Sequence, residues 1–171
     1  MERYMVEAKS RADLRELADM VREKLGLKDT LWVPIVELLD ILSELLEDFS
    51  YEIVPDDEME PGIHAETDIT TGHITIKESI YDRACEGKGR DRMTIAHEIG
   101  HYFMLCFCGF KLQRCFDKDP IPAYKDPEWQ AKCFAGELMM GHNVISKMSL
   151  RDIYKSCGVS LRAAAYQFKH I

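Results

Sequence analysis

The chain has 171 residues, 46% of them hydrophobic and 30% charged, enough for one domain with a real core. A formal net charge of −8 excludes nucleic-acid binding driven by the field of the molecule as a whole. No apolar run approaches bilayer-spanning length, and the start, Met1 to Lys9, is too charged for a secretory leader. A cytoplasmic location is the resulting expectation. Six cysteines occur without any C-x-x-C pair, so free thiols are expected rather than a disulfide framework. Cys106, Cys108 and Cys115 could form a thiolate cluster, but Cys106 and Cys108 are better read as small core residues at the end of a helix.

In chain order, Ser10 opens a helical pattern with Leu14, Leu17, Val21 and Leu25 on one stripe, and Gly26 closes it. Pro34 starts a second helix, Ile35 to about Leu46, with a broad apolar face. Tyr51 to Val54 reads as a short strand. Ile63 to Thr67 and His73 to Lys77 alternate apolar and polar residues around Asp68 to Gly72, which is a hairpin pattern. Ser79 to Cys85 predicts a short helix. Arg92 to Phe103 is apolar nearly all round and predicts a buried central helix capped by Asp91. Gly100 inside it costs about 1 kcal/mol relative to Ala, which points to a closely packed neighbour. Gly109 to Asp126 is irregular. Asp126 then caps a helix that begins at Pro127 and reaches Met140. Ser149 to Ile171 predicts two helices broken at Gly158, with Ser160 capping the second. The expected fold is α+β, mostly helical, with a small antiparallel sheet or hairpin beside the central helix. It is expected as one domain, with N-terminal helices in 1–48, a core in 49–144 and a helix-turn-helix-like pair in 145–171.

The central helix carries H-E-x-x-H as His97, Glu98 and His101. Residues four apart lie on one helical face, so both imidazoles can point at one spot, and neutral imidazoles suit zinc. Glu98 is offset around the helix and can reach a water on the metal without being a ligand. Zinc lowers the pKa of such a water to about 7, and a carboxylate can take its proton as it attacks a carbonyl. That is the chemistry of peptide-bond hydrolysis. A buried helix with two merely hydrogen-bonded histidines would instead bury three polar groups without evident partners.

A catalytic zinc site needs a third protein ligand. Glu128, in the first turn of the helix after Asp126, is the best candidate, and the dipole favours a carboxylate there. Small Ala131 and Ala135 would let that helix approach the central one. Asp117, Asp119, Glu137 and His142 remain alternatives. His64 and His73 on the hairpin strands are weaker site candidates.

The run Met93 to Tyr102, followed by Glu128 to Met140, resembles the ImmA/IrrE family of zinc metallo-endopeptidases, whose second motif looks like E-x-x-A-N-x-F-A-x-E-L-L-M-P. Glu128, Ala131, Phe134, Ala135, Glu137, Leu138 and Met140 stand at matching positions, and Gly158-Val159-Ser160 with Ala163 is similar to the family's V-S-x-x-A element. The resemblance covers roughly Pro34 to the C-terminus. It implies a zincin-like domain in which His97, His101 and Glu128 hold Zn2+ and Glu98 is the general base. The motif's Asn is Lys132 here, its Pro is Gly141, and a late Arg is Gln167. Lys132 lies four residues after Glu128, the spacing for an ion pair that would compete with zinc for the carboxylate.

The resemblance further implies cleavage or inactivation of a helix-turn-helix repressor of the XRE type, relieving repression of mobile-element, phage or stress genes. An extended substrate is expected to pair with a strand beside the metal helix, with His73 to Lys77 as the candidate. Tyr102, Tyr124 and His142 are candidate oxyanion partners. Two other readings belong to different classes. Residues 147–170 are locally basic and could make the chain a DNA-linked regulator, although direct nucleic-acid binding is disfavoured by the acidic whole. Alternatively, the chain is a non-proteolytic zinc-containing partner of the toxin–antitoxin type.

Overall fold

A computed structural model describes residues 3–107, 109, 113–115 and 120–171. A short strand β1 (Arg3–Met5) leads into helix α1 (Arg11–Lys24). Ser10 and Asp13 form a reciprocal capping box at its start. Just beyond its end, Gly26 takes a positive φ of 70°, where a side chain would be strained. Helix α2 (Ile35–Leu45) starts after Pro34 and buries Ile35, Leu38, Leu39 and Leu42. Strands β2 (Ser50–Val54), β3 (Ala65–Asp68) and β4 (His73–Lys77) precede helix α3 (Glu78–Cys85).

The three strands form one sheet in the order β2-β4-β3. The β3–β4 hairpin is antiparallel, as the alternation predicts, but β4 runs parallel to β2, so the sheet is mixed rather than antiparallel. β4 occupies the centre because Ile74 and Ile76 are its inward residues and both are fully buried. Both of its edges are therefore taken. That removes His73 to Lys77 as the strand for an incoming peptide and leaves β3 with one neighbour among the described residues.

The central helix α4 (Gly89–His101) begins three residues before the expected Arg92, with Lys88 as its N-cap. Asp91 lies in the first turn and does not cap. Its carboxylate instead accepts from Arg83, with Nε at 3.1 Å. The helix continues through one wider turn, Tyr102–Phe107, of π-helical form. A strand β5 (Gln113–Cys115) pairs with β1, a ladder too short to announce itself in either segment. Helix α5 (Pro127–Met139) has Asp126 as its cap, accepting from the Glu128 amide. A short α6 (His142–Ile145) separates it from α7 (Leu150–Cys157) and α8 (Leu161–Phe168), capped by Ser149 and Ser160 and separated by left-handed Gly158.

α4 and α5 cross at the centre of the molecule, and Gly100 explains how closely. A Cβ there would stand 2.7 Å from the Ala131 carbonyl oxygen, so only glycine admits this approach. Ala131 and Ala135, both fully buried, line the α5 side. On the opposite flank α1 packs on α5 through buried ions. Glu137 is completely buried and accepts from Arg15, Nε–Oε2 3.1 Å, with Arg11 3.6 Å away. Arg22, also buried, donates to the carbonyls of Leu138 and Thr30. Its guanidinium fills the space at Gly141, where a Cβ would come within 2.7 Å of Nε. The α7–α8 pair docks on α4: the Gly158 carbonyl accepts from Arg92 at 2.8 Å, and Gly89 leaves room for the Val159 backbone.

Candidate metal centre

One turn of α4 separates His97 from His101, and the first turn of α5 brings Glu128 opposite both. The two Nε2 atoms lie 3.1 Å apart, and each is 3.2 Å from a different oxygen of Glu128. Two imidazole nitrogens this close cannot both donate to one another. With Nε2 unprotonated, their lone pairs and those of the carboxylate converge on one point. A tetrahedral metal with ligands at about 2.0–2.1 Å would space them about 3.3 Å apart, close to what is seen. Borderline nitrogen and hard oxygen donors in this ratio suit zinc and several neighbouring divalent ions. The residues present therefore fit a metal ion. Among the described residues this is the one His/Cys/Asp/Glu cluster with that geometry.

The histidine side chains are 19% and 12% exposed, while Glu128 is 58% exposed. Hydrogen bonding to His101 and His97 holds the Glu128 carboxyl far below the usual carboxylate range. Nδ1 of His97 is buried and has no hydrogen-bond partner among the described residues, so no protein acceptor there fixes that ring's tautomer.

Glu98 is buried and faces the same cleft, of about 710 Å³, as His97, His101 and Glu128. Thr67 of β3 holds it. The Thr67 hydroxyl donates to Glu98 Oε2 at 2.7 Å and lies 3.2 Å from the Glu98 carbonyl oxygen. β3 thus forms one wall of the cleft, with Ala65, Glu66 and Thr67 lining it. Tyr4 and His64 also line it. Sequence reasoning gives His64 little weight and misses Tyr4 and Thr67. The hairpin pattern locates Thr67 on a strand, but only the strand order reveals that it faces Glu98.

The other candidates are placed elsewhere. Glu137 belongs to the buried Arg11–Arg15 cluster. His142, in α6, is in neither the ligand cluster nor the cleft wall. His73 shares a hydrogen bond with Ser50 through Nδ1. Tyr102 is buried and donates to Asp48 at 2.7 Å, and Tyr124 does not line the cleft. Asp117, Asp119 and Cys108 lie outside the described residues. No ion pair joins Lys132 to Glu128 among the described residues. The carboxylate turns to the histidines, and Lys132 lines a second cavity with Gln167.

A buried helix bearing two histidines, a second helix supplying a carboxylate, and a small sheet beside them give a mostly helical α+β domain of zincin-like form. Residues 62–169 match Peptidase M78, the IrrE N-terminal-like domain, and the chain belongs to that family. No curated protein matches the chain. Among solved structures it is similar to a Mycobacterium tuberculosis transcriptional regulator, at 13% identity and a TM-score of 0.61. That match covers 92% of this chain and 46% of the other, so this chain spans just under half of the regulator's length. At that identity the likeness concerns the fold alone. No helix among the described residues is long and apolar enough to cross a membrane.

Proposed function

We propose that the chain is a zinc-dependent endopeptidase that cuts an XRE-type helix-turn-helix repressor. The observation that carries the peptidase reading is the convergence of His97, His101 and Glu128 on one point, with Glu98 held by Thr67 on the same cleft. Zinc held by those three residues would polarise the scissile carbonyl and acidify water.

Glu98 is the general base: it takes the proton of the attacking water and returns it to the leaving amine. Its burial keeps bulk water from competing for the carboxylate, and the Thr67 hydrogen bond fixes which carboxylate oxygen stays free. The edge of β3 that is unpaired among the described residues receives the extended substrate backbone. The substrate half rests on the motif resemblance to repressor-cleaving relatives.

The test pairs metal content with digestion of the XRE-type repressor encoded nearest the gene. One equivalent of zinc and a discrete cut are expected. In Glu98→Gln the zinc should stay and the rate should fall roughly hundredfold to ten-thousandfold. Undiminished cleavage by that variant would sink the mechanism.

A further inference from the structure

A second cavity, of about 620 Å³, adjoins the metal cleft, and the two share Thr94 and His97 in their walls. It lies between α4, α5 and α8. Met93, Trp129, Met140 and Tyr166 give it an apolar and aromatic lining. Methionine and aromatic walls accept large apolar side chains of varied shape. The Trp129 and Tyr166 rings are held by Arg11, whose guanidinium carbon stands 5.9 Å and 5.3 Å from their centroids.

Three exposed cations, Arg90, Lys132 and Arg162, line the same cavity. The arginines that build the fold are all engaged: Arg11, Arg15, Arg22, Arg83 and Arg92 have carboxylate, carbonyl or ring partners. These three cations, by contrast, have no side-chain hydrogen bond or ion pair among the described residues. They come from three different helices, α4, α5 and α8, and line one cavity. The molecule that carries them has a net charge of −8. A local positive cluster on an acidic protein is complementary to a negative partner at that place.

We propose that this cavity is a substrate subsite for a peptide segment with a large apolar anchor flanked by acidic residues, seated beside the metal centre. The occupant's being a peptide rests on the peptidase reading above. Its acidity and apolar anchor rest on the cavity alone. The apolar side chain enters against the methionine and aromatic part of the lining. The flanking carboxylates meet Arg90, Lys132 and Arg162. Such a subsite would choose among extended segments that β3 alone could not tell apart, because backbone pairing carries little sequence information.

The test is equilibrium binding, which needs no turnover. The full chain is titrated into fluorescein-labelled Glu-Glu-Phe-Glu-Glu, and into the same peptide with every Glu replaced by Gln or by Lys. A labelled oligonucleotide of similar length runs in parallel. The expected order is Glu over Gln over Lys, with roughly fivefold between the first two for several exposed charge pairs. The preference should fade at about 0.5 M salt. It should vanish in the double variant Lys132→Glu, Arg162→Glu, whose melting temperature shows that it folds. The protein's overall field opposes this order, so a preference for the acidic peptide reports local cations.

Equal binding of the Glu and Gln peptides, binding of none, a preference unmoved by the double variant, or tighter binding of the oligonucleotide would each overturn the proposal. The zinc-loaded protein is then assayed on the same peptides. Acidic selectivity without any cleavage leaves the subsite standing and removes the peptidase reading. Cleavage indifferent to acidity does the reverse.

Discussion

Glu98 and Thr67 stand 31 positions apart in sequence and 2.7 Å apart in space. A hydroxyl hydrogen bond to a charged group contributes about 1.5–3 kcal/mol. Here it sets the aim of a carboxylate that has few other ways to be oriented. In Thr67→Val the branched shape remains and the donor goes. The expected outcome is a fall in kcat of roughly tenfold, with zinc content and KM unchanged. A variant that lost zinc in proportion to activity would show that Thr67 supports the fold rather than the base.

The residues of H-E-x-x-H announce their chemistry from spacing alone. Thr67 could not, because threonine on a strand is the ordinary case. Glu128 lies between these extremes: its place in a first turn is legible, and its meeting with His97 and His101 requires knowing how two helices cross. Lys132 shows the opposite limit. Its spacing from Glu128 suits an ion pair, yet the carboxylate turns to the imidazoles and the ammonium lines the neighbouring cavity.

At the scale of elements, the seam between α4 and α5 sets the ligand geometry. Gly100 lies against the backbone of Ala131, three residues after Glu128, so any change in helix separation moves the carboxylate away from the imidazoles. Gly100→Ala should improve intrinsic helix propensity by about 1 kcal/mol. It should nevertheless destabilise the protein by about 1–3 kcal/mol through overpacking, and weaken zinc retention. Urea unfolding with and without chelator checks both. Unchanged stability and unchanged zinc affinity would mean that the seam can relax without cost.

Most helices are readable because their caps and apolar stripes are local: Ser10, Asp126 and Ser160 cap as expected, and Ser149 caps as well. Asp91 does not, because Arg83 offers its carboxylate a stronger partner than a backbone amide. Strand order is not readable. Alternation assigns faces, but it does not decide which strand is central. The burial of Ile74 and Ile76, with a strand on each side of β4, decides that, and with it which edge faces the cleft.

Across the whole molecule, a metal held by α4 and α5 together should bind the folded chain and not the unfolded one. Saturating zinc should therefore raise the melting temperature, by about 2.7 kcal/mol of added stability at a hundredfold excess over Kd. Glu128→Ala should abolish most of that shift while leaving the metal-free melting point within about a degree or two, since the side chain is more than half exposed. An equal zinc shift in the variant would place the ion elsewhere.

The stretch that identifies the family begins at residue 62, yet much of what holds it lies upstream. β2, the parallel neighbour of β4, is in 50–54. The guanidinium that ties the end of α5 comes from Arg22, and the cations that neutralise Glu137 come from Arg11 and Arg15. A protein trimmed to 62–169 would keep every ligand and lose β1, β2, α1, α2 and the partners of a fully buried carboxylate. It should express as aggregate, or fail to melt cooperatively, where the full chain melts in one transition. The boundary of the family match and the boundary of the packed frame do not coincide, and residues before 62 belong to that frame although the match does not include them.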